Sequence, residues 1–360
     1  MLLLVWRAEC TSVAKAFMSV GVEQFDSVAI FGFNAPEWIM AAMSSILCGA
    51  KSAGIYPTDT AEQIKYKCDH SGAKVMVLED QHKLDAFKKV AGQLPTITTV
   101  VVWNEMDLDP SRECAGKKVV TWKELIAMGN AATDQDLVAR QEKIRPGHCC
   151  ALIYTSGTTG NPKAVMISHD NIYFESCTVV GLLNKAVGTG RDIDGNEDFQ
   201  ERIISYLPLS HVAGMMVDIV CPVVITANTV SHTTMSFARP YDLKMATIRD
   251  RLEAVKPTLF LGVPRVWEKI AETMKKAGAQ ITGVKKKVST WAKAKGLVHA
   301  NNMQLGGSGA YPCCYGLASK KIHALAKARL GLNKCKFGMT GGHPPPSMTA
   351  AARQHSLHSF

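Results

Sequence analysis

Residues 154–163 read Tyr-Thr-Ser-Gly-Thr-Thr-Gly-Asn-Pro-Lys, and short apolar runs flank them on both sides. Glycines let the backbone of such a loop turn its N–H groups toward one point, and the hydroxyl groups add further donors, so the loop predicts an anion-binding nest. Lys163 adds a point charge suited to the β- and γ-phosphates of a nucleotide. The apolar runs Ala151–Tyr154 and Ala164–Ile167 predict strands that hold the loop between them.

The spacing of this loop differs from that of the P-loop in kinases and GTPases, which requires G-x-x-x-x-G-K-[ST]. Here Gly157 and Lys163 stand in a different register, and Pro162 directly precedes the lysine. A plain surface turn is the alternative, because clusters of Thr, Ser and Gly usually mark turns. The ordered string that ends in Pro-Lys between two strands favours phosphate binding over that alternative.

Apolar runs alternate with helical patterns along the first half of the chain, which predicts an α/β fold with parallel βαβ units and helices on both faces of the sheet. Asn34 is expected to cap the first helix of this series, with Pro36 and Glu37 in its first turn. The other predicted helices are Ala61–His70, which Gly72 ends, and Gln81–Val90. The predicted strands are Val28–Phe33, Ala53–Tyr56, Val75–Leu78, Thr98–Val102, Ala151–Tyr154, Ile203–Leu207 and Thr258–Gly262.

Polar connectors divide the chain into three expected parts. Arg145-Pro146-Gly147 predicts a boundary between a first subdomain, 1–145, and a second, 146–340, that contains the loop. Residues 341–360 hold three consecutive prolines and no acidic residue, and predict an irregular tail. The apolar stretch Val212–Val230 is interrupted by Asp218 and Pro222, so we expect a buried helix followed by a core strand rather than a membrane span.

The formal net charge of +10 raises the question of nucleic-acid binding. The densest basic runs, Lys275–Lys276, Lys285–Lys287 and Lys293–Lys295, predict one exposed helix without the interleaved aromatic residues that base stacking needs. We therefore expect a solvated lysine face and no nucleic acid, with contact to anionic lipid as the alternative. Eleven dispersed cysteines fit a reducing compartment, so a cytoplasmic protein is expected, peripheral to the endoplasmic reticulum or another membrane.

The loop and the residues that follow it, YTSGTTGNPKAVMISHDNI, resemble the signature loop of the adenylate-forming superfamily, which contains acyl-CoA synthetases, luciferases and peptide-synthetase adenylation domains. Three later stretches, Tyr206–His211, Phe237–Pro240 and Gly262–Lys269, are similar to long-chain acyl-CoA synthetases, and most of all to their bubblegum branch. Phe31–Trp38 agrees with this resemblance. One departure is Ala164, which stands where the family usually has glycine.

The resemblance covers residues 10–340 and implies part of an adenylate-forming N-terminal domain, with mostly parallel sheets covered by helices. It implies that a fatty carboxylate attacks the α-phosphate of Mg·ATP and that the thiol of CoA, a co-substrate, then displaces AMP. His211 would line the acyl site, although a lone histidine beside a core strand is as often structural. The nucleotide-binding residues implied are Thr155, Ser156, Gly157, Thr158, Thr159, Gly160, Asn161, Pro162 and Lys163, with Thr155 also as the Mg ligand.

Several family motifs are not found in this sequence. Tyr315–Ser319 lacks the glutamate of the adenine-contacting Tyr-Gly-x-Ser/Thr-Glu motif, and after Gly341 the chain departs from the family pattern. The ribose-binding aspartate, the C-terminal domain with its catalytic lysine and the N-terminal extension are also missing, so we expect a chain truncated at both ends without a complete catalytic set. A non-catalytic paralogue that binds nucleotide or a partner, and a ligase for aryl or other acids, remain as alternatives; the oligomeric state stays open.

ATP–pyrophosphate exchange with palmitate is therefore expected at background for residues 1–360. Loss of one donor to the transition state typically costs ~3–4 kcal/mol, or about a hundred- to a thousand-fold in rate. Several such groups are lost together here. A long-chain acyl-CoA synthetase assayed in parallel is the control, and robust exchange from the purified chain would contradict the expectation.

Overall fold

The computed structural model describes residues 3–155, 161–188, 190–191, 195–242, 247–303 and 307–340. The chain divides into two compact units, Met1–Thr178 with Tyr206–Cys221 and Val179–Ser205 with Pro222–Phe360. Within the described part of the chain, no helix combines the length and the apolar composition that a membrane crossing needs.

The first unit is built on a seven-stranded sheet with the strand order β5-β4-β3-β1-β2-β6-β7. All neighbouring strands are parallel except β6 and β7, which are antiparallel. Its elements are α1 (Leu3–Ser19), β1 (Ser27–Phe31), α2 (Pro36–Leu47), β2 (Lys51–Ile55), α3 (Ala61–Ser71), β3 (Ala73–Leu78), α4 (Gln81–Ala91), β4 (Thr99–Val102), β5 (Lys118–Thr121), α5 (Trp122–Ala131), α6 (Asp134–Gln141), β6 (Cys149–Thr155) and β7 (Lys163–Ser168).

This sheet confirms the predicted α/β class. The two units that the structure shows are divided at other positions than the sequence predicts. The sequence predicts a boundary after residue 145, whereas β6 and β7 complete the sheet of the first unit because β6 pairs with β2. The buried core on one side of the sheet includes Phe31, Ile55, Met76, Leu84 and Phe87. Strands buried along their whole length, such as β1 and β4, explain the continuous apolar runs in the sequence.

Local capping chemistry sets both ends of α3, of which the sequence predicts the end at Gly72. The Thr60 hydroxyl accepts the Gln63 N–H while the Gln63 side chain accepts the Thr60 N–H, which forms a capping box. Gly72 ends the helix in the left-handed conformation, with φ of 67°. Such reciprocal caps leave few backbone groups unsatisfied at either end of the helix.

Asn34 is not the cap of α2, so that prediction is wrong. The helix begins after Ala35, with Pro36 in its first turn. The amide of Asn34 instead donates to the carbonyl oxygen of Leu207 at 2.7 Å. The side chain is thus used for a contact with a distant segment, and the fixed φ of Pro36 is itself suited to starting the helix.

The second unit contains two separate two-stranded parallel sheets, β8 with β9 and β10 with β11. α7 (His169–Val187) leads into it, and its strands are β8 (Gln200–Ser205), β9 (His232–Phe237), β10 (Leu259–Gly262) and β11 (Phe337–Thr340). The remaining helices are α8 (Val212–Gly214), the π-helical segment Met215–Val220, α9 (Cys221–Asn228), α10 (Ile248–Val255), α11 (Pro264–Ala279), α12 (Gly283–Met303), α13 (Tyr315–Ala318), a second π-helical segment (Ser319–His323) and α14 (Ala324–Arg329).

Two predictions for this half of the chain need correction. Val212–Val230 is helical as far as Asn228, and the strand expected within it starts only at His232. Pro222 does not break the helix because it follows a π-helical turn, in which the i→i−4 hydrogen bonds are already displaced. The lysine runs lie on two helices, α11 and α12, rather than on one.

Gly54 on β2 allows a close approach between the strand and residues 206–211. A Cβ atom at Gly54 would lie 2.7 Å from the Cα and Cβ atoms of Ser210. Real Cβ atoms do not approach backbone so closely, and Ser210 is buried, with 2% of its surface exposed. The absence of a side chain at Gly54 is therefore what lets the 206–211 segment pack on the sheet.

Gly54→Ala should lower the free energy of unfolding by about 1–3 kcal/mol, because overpacking a filled site forces the backbone apart. Gly92→Ala is the matched control, since a Cβ at Gly92 meets no atom within 4 Å and its φ of −65° suits alanine. We expect that variant to be neutral or slightly more stable. Urea unfolding followed by circular dichroism measures both; equal stability of the two variants would contradict the packing argument.

Candidate functional site

The stems of the predicted phosphate loop are the antiparallel strands β6 and β7. Thr155 ends β6, Lys163 begins β7, and the two residues pair directly across the hairpin. The hydroxyl of Thr155 donates to the carbonyl oxygen of Lys163 at 3.4 Å. Both flanking strands are confirmed, whereas the loop residues Ser156–Gly160 lie outside the described residues.

The exposed, positively charged Lys163 at the base of the loop suits the binding of a polyanion. Thr155 and Lys163 are exposed, and Asn161 is exposed beside the half-buried Pro162. None of the ion pairs among the described residues involves Lys163. The ammonium group of Lys163 is thus available to neutralise an incoming phosphate group.

Magnesium fits this site only in combination with phosphate oxygens. The Thr155 hydroxyl uses its proton toward Lys163, which leaves the oxygen lone pairs available to a hard cation. In the described ranges, no three His, Cys, Asp or Glu side chains group in a way that could hold a metal ion. The Thr155 hydroxyl at the end of β6 fits a single ligand position on a cation that a nucleotide carries, and its role as a Mg ligand stays a prediction.

His211 lies in the first unit, as the loop stems do, and its ring caps α8. Its Nδ1 atom accepts the backbone N–H of Ala213 at 3.1 Å. Because Nδ1 is an acceptor, the ring proton sits on Nε2, which fixes the tautomer of the neutral ring. This is a structural role. No hydrogen bond or ion pair in the described part of the chain joins His211 to Thr155 or Lys163, and its role at an acyl site stays a prediction.

A narrow apolar crevice lies beside His211 in the first unit. Residues just before and after the histidine line it together with α2, β2 and β6. Its lining includes Trp38, Ala42, Gly54, Leu152, Ser210 and Met215. The buried Ser210 hydroxyl has no hydrogen-bond partner among the described residues, which is costly for a polar group. The sequence analysis did not predict that residues of α2 line this crevice. Trp38, the last residue of the Phe31–Trp38 stretch that agrees with the family resemblance, is one of them.

Ser168, Trp267 and Tyr315 have capping or packing roles in their own units. Ser168 accepts the backbone N–H of Asn171 at 3.1 Å and so caps α7. Trp267 is buried and packs edge-on against Phe260, with ring centroids 5.3 Å apart. The ring of Tyr315 lies 4.4 Å from that of His299 in an aromatic cluster of the second unit.

The profile of the AMP-binding enzyme family matches residues 6–356. This match runs beyond Gly341, into the segment for which the sequence predicts divergence. The chain is 37% identical to the long-chain-fatty-acid–CoA ligase ACSBG2 of Xenopus laevis over 93% of its own length and 43% of that protein. It is 36% identical to the ligase ACSBG1 of Rattus norvegicus over 96% of its length and 44% of that protein.

Solved structures share the fold at lower sequence identity. The adenylation domain of a carboxylic acid reductase from Segniliparus rugosus, in complex with AMP and a co-purified carboxylic acid, is 19% identical with a TM-score of 0.61. That alignment covers 97% of this chain and 50% of the other. The chain thus spans about half the length of these proteins and less than half of the curated relatives.

Proposed function

The chain belongs to the AMP-binding enzyme family, and we propose that it carries the triphosphate-binding part of a site for the ATP-dependent conversion of a long-chain fatty acid to its CoA thioester, through an acyl-adenylate. Residues 1–360 alone are expected to bind nucleotide without completing that reaction. The observation that carries this proposal is the β6–β7 hairpin, which pairs Thr155 with Lys163 at the two ends of a Gly- and Thr-rich loop. Relatives named as long-chain-fatty-acid–CoA ligases support the acid class.

The roles proposed for the chain's own residues follow from their charge and position. Lys163 neutralises the β- and γ-phosphates, and the loop from Ser156 to Asn161 supplies backbone and hydroxyl donors to the triphosphate. Thr155 offers one oxygen to Mg²⁺, which when bound disperses the negative charge that grows near the α-phosphate. His211, with its tautomer held by Ala213, is proposed to lie near the carboxylate of the acid.

Two further proposals concern the surroundings of the chain. The exposed lysines of α12, Lys285–Lys287, support a peripheral contact with anionic lipid, since each basic residue near such a surface contributes about 1 kcal/mol. A cytoplasmic location beside the endoplasmic reticulum or another membrane is proposed from the eleven dispersed cysteines together with these lysines. CoA is proposed as the acceptor of the acyl group.

Mg·ATP binding by residues 1–360 should weaken about 10- to 150-fold in Lys163→Ala, because a charge-assisted contact contributes about 1.5–3 kcal/mol. Lys123→Ala is the matched control, since it removes another lysine of the first unit, one that is 85% exposed. We expect that variant to bind as the wild type does. Isothermal titration calorimetry gives the dissociation constants.

Equal affinity of wild type and Lys163→Ala for Mg·ATP would rule out this loop as the phosphate site.

Palmitate should raise the melting temperature of the chain in the presence of Mg·ATP more than acetate or benzoate does, because a ligand that binds only the folded state stabilises it. Hexadecanol, which has the same chain length without the carboxylate, controls for detergent-like binding. Differential scanning fluorimetry below the micelle concentration measures the shift. A larger shift with benzoate would point instead to an aryl-acid ligase.

A further inference from the structure

One face of α3 contacts the β7 stem of the nucleotide loop. The hydroxyl of Tyr66 donates to the carbonyl oxygen of Pro162 at 3.0 Å, across 96 positions of sequence. Both residues belong to the first unit. Pro162 directly precedes Lys163, so this contact is made at the last loop residue before the proposed phosphate ligand.

The same face of α3 also contacts the β6 stem. Tyr66 stacks on His70 one turn later, with ring centroids 5.3 Å apart. Nδ1 of His70 lies 3.2 Å from the hydroxyl of Tyr154, which donates to the carbonyl oxygen of Lys67 at 3.0 Å. Because that hydroxyl has a single proton, His70 is the donor in its contact with Tyr154.

The two residues that join α3 to the β6 stem, Tyr154 and Lys67, are buried. Tyr154 is 1% exposed, and burial raises the pKa of its hydroxyl well above the ordinary value, so the group stays protonated as a donor. The ammonium group of Lys67 pairs with Asp59 and lies over the rings of Tyr56 and Tyr154, 4.8 and 5.5 Å from their centroids. Buried polar and aromatic contacts therefore hold α3 against the β6 stem.

The β7 stem needs such a support because of its place in the sheet. β7 is an edge strand, it pairs with β6 and with no other strand of the described residues, and several of its own residues are exposed. The carbonyl of Pro162 belongs to the planar peptide group that includes the N–H of Lys163. A hydrogen bond to that oxygen therefore fixes the orientation of the backbone from which the Lys163 side chain extends.

We infer that Tyr66 is a positioning residue for nucleotide binding, which holds the Pro162–Lys163 peptide so that the lysine faces the phosphates. This inference rests on the proposed function, since it assigns Lys163 to the triphosphate. Tyr66 does not touch the nucleotide in this account. Its hydroxyl acts through Lys163, and its ring keeps the stack with His70.

Tyr66→Phe in residues 1–360 should raise the dissociation constant for Mg·ATP about 3- to 10-fold, because it removes the hydroxyl and keeps the ring. Tyr311→Phe is the matched control, since it removes the hydroxyl of a tyrosine in the second unit that is 74% exposed. It should bind as the wild type does. An unchanged dissociation constant in Tyr66→Phe overturns the inference.

A double-mutant cycle separates positioning from a merely structural role. If Tyr66 acts through Lys163, adding Tyr66→Phe to Lys163→Ala should weaken binding less than twofold further, so that the two effects are not additive. An equal fold-change in both backgrounds would show that Tyr66 acts independently of the lysine, and that result overturns the inference.

Hydrogen exchange gives a readout that does not depend on ATP. Peptides that cover residues 155–168 should exchange faster in Tyr66→Phe than in wild type or Tyr311→Phe, because the stem has lost its anchor. Unchanged exchange there overturns the inference. Failure of the wild type to bind Mg·ATP overturns the proposed function and the positioning role together, whereas binding that depends on Lys163 but not on Tyr66 overturns the positioning role alone.

Discussion

The antiparallel pairing of β7 with β6, at the edge of an otherwise parallel sheet, is the constraint on which the candidate site depends. A parallel neighbour would need a long crossover, whereas an antiparallel one returns through a short loop, so Thr155 and Lys163 are brought into direct register. The same pairing exposes β7 as an edge strand. The hydrogen bond from Tyr66 on α3 to Pro162 supports the backbone where β7 begins.

Segments distant in sequence complete the first unit around this hairpin. Residues 206–221 return from the second unit and pack on β2, where Gly54 leaves room for Ser210. Asn34 holds the same segment through the carbonyl oxygen of Leu207. The histidine proposed for the acyl site is thus fixed to the unit that carries the phosphate loop, which a two-substrate reaction requires.

Local signals explain what could be predicted from the sequence. Apolar runs and caps placed α3, β3, β4 and the two loop stems within a residue or two, since each depends on its own side chains. β5 was missed because it has only four residues inside a polar stretch. The roles of Asn34 and Tyr66 depend on partners 173 and 96 positions away, and no local pattern encodes such contacts.

Polar contacts hold the second unit together where its sheets alone would not. Two-stranded sheets are only marginally stable, and Thr258 connects both of them. Its hydroxyl accepts the N–H of Arg202 at 2.9 Å and donates to Glu201 on β8, while its carbonyl accepts the N–H of Lys336. Lys336 and Glu201 form a buried ion pair, and removing one partner would leave an uncompensated charge. The cluster therefore ties β8 to the residues at the start of β10 and β11.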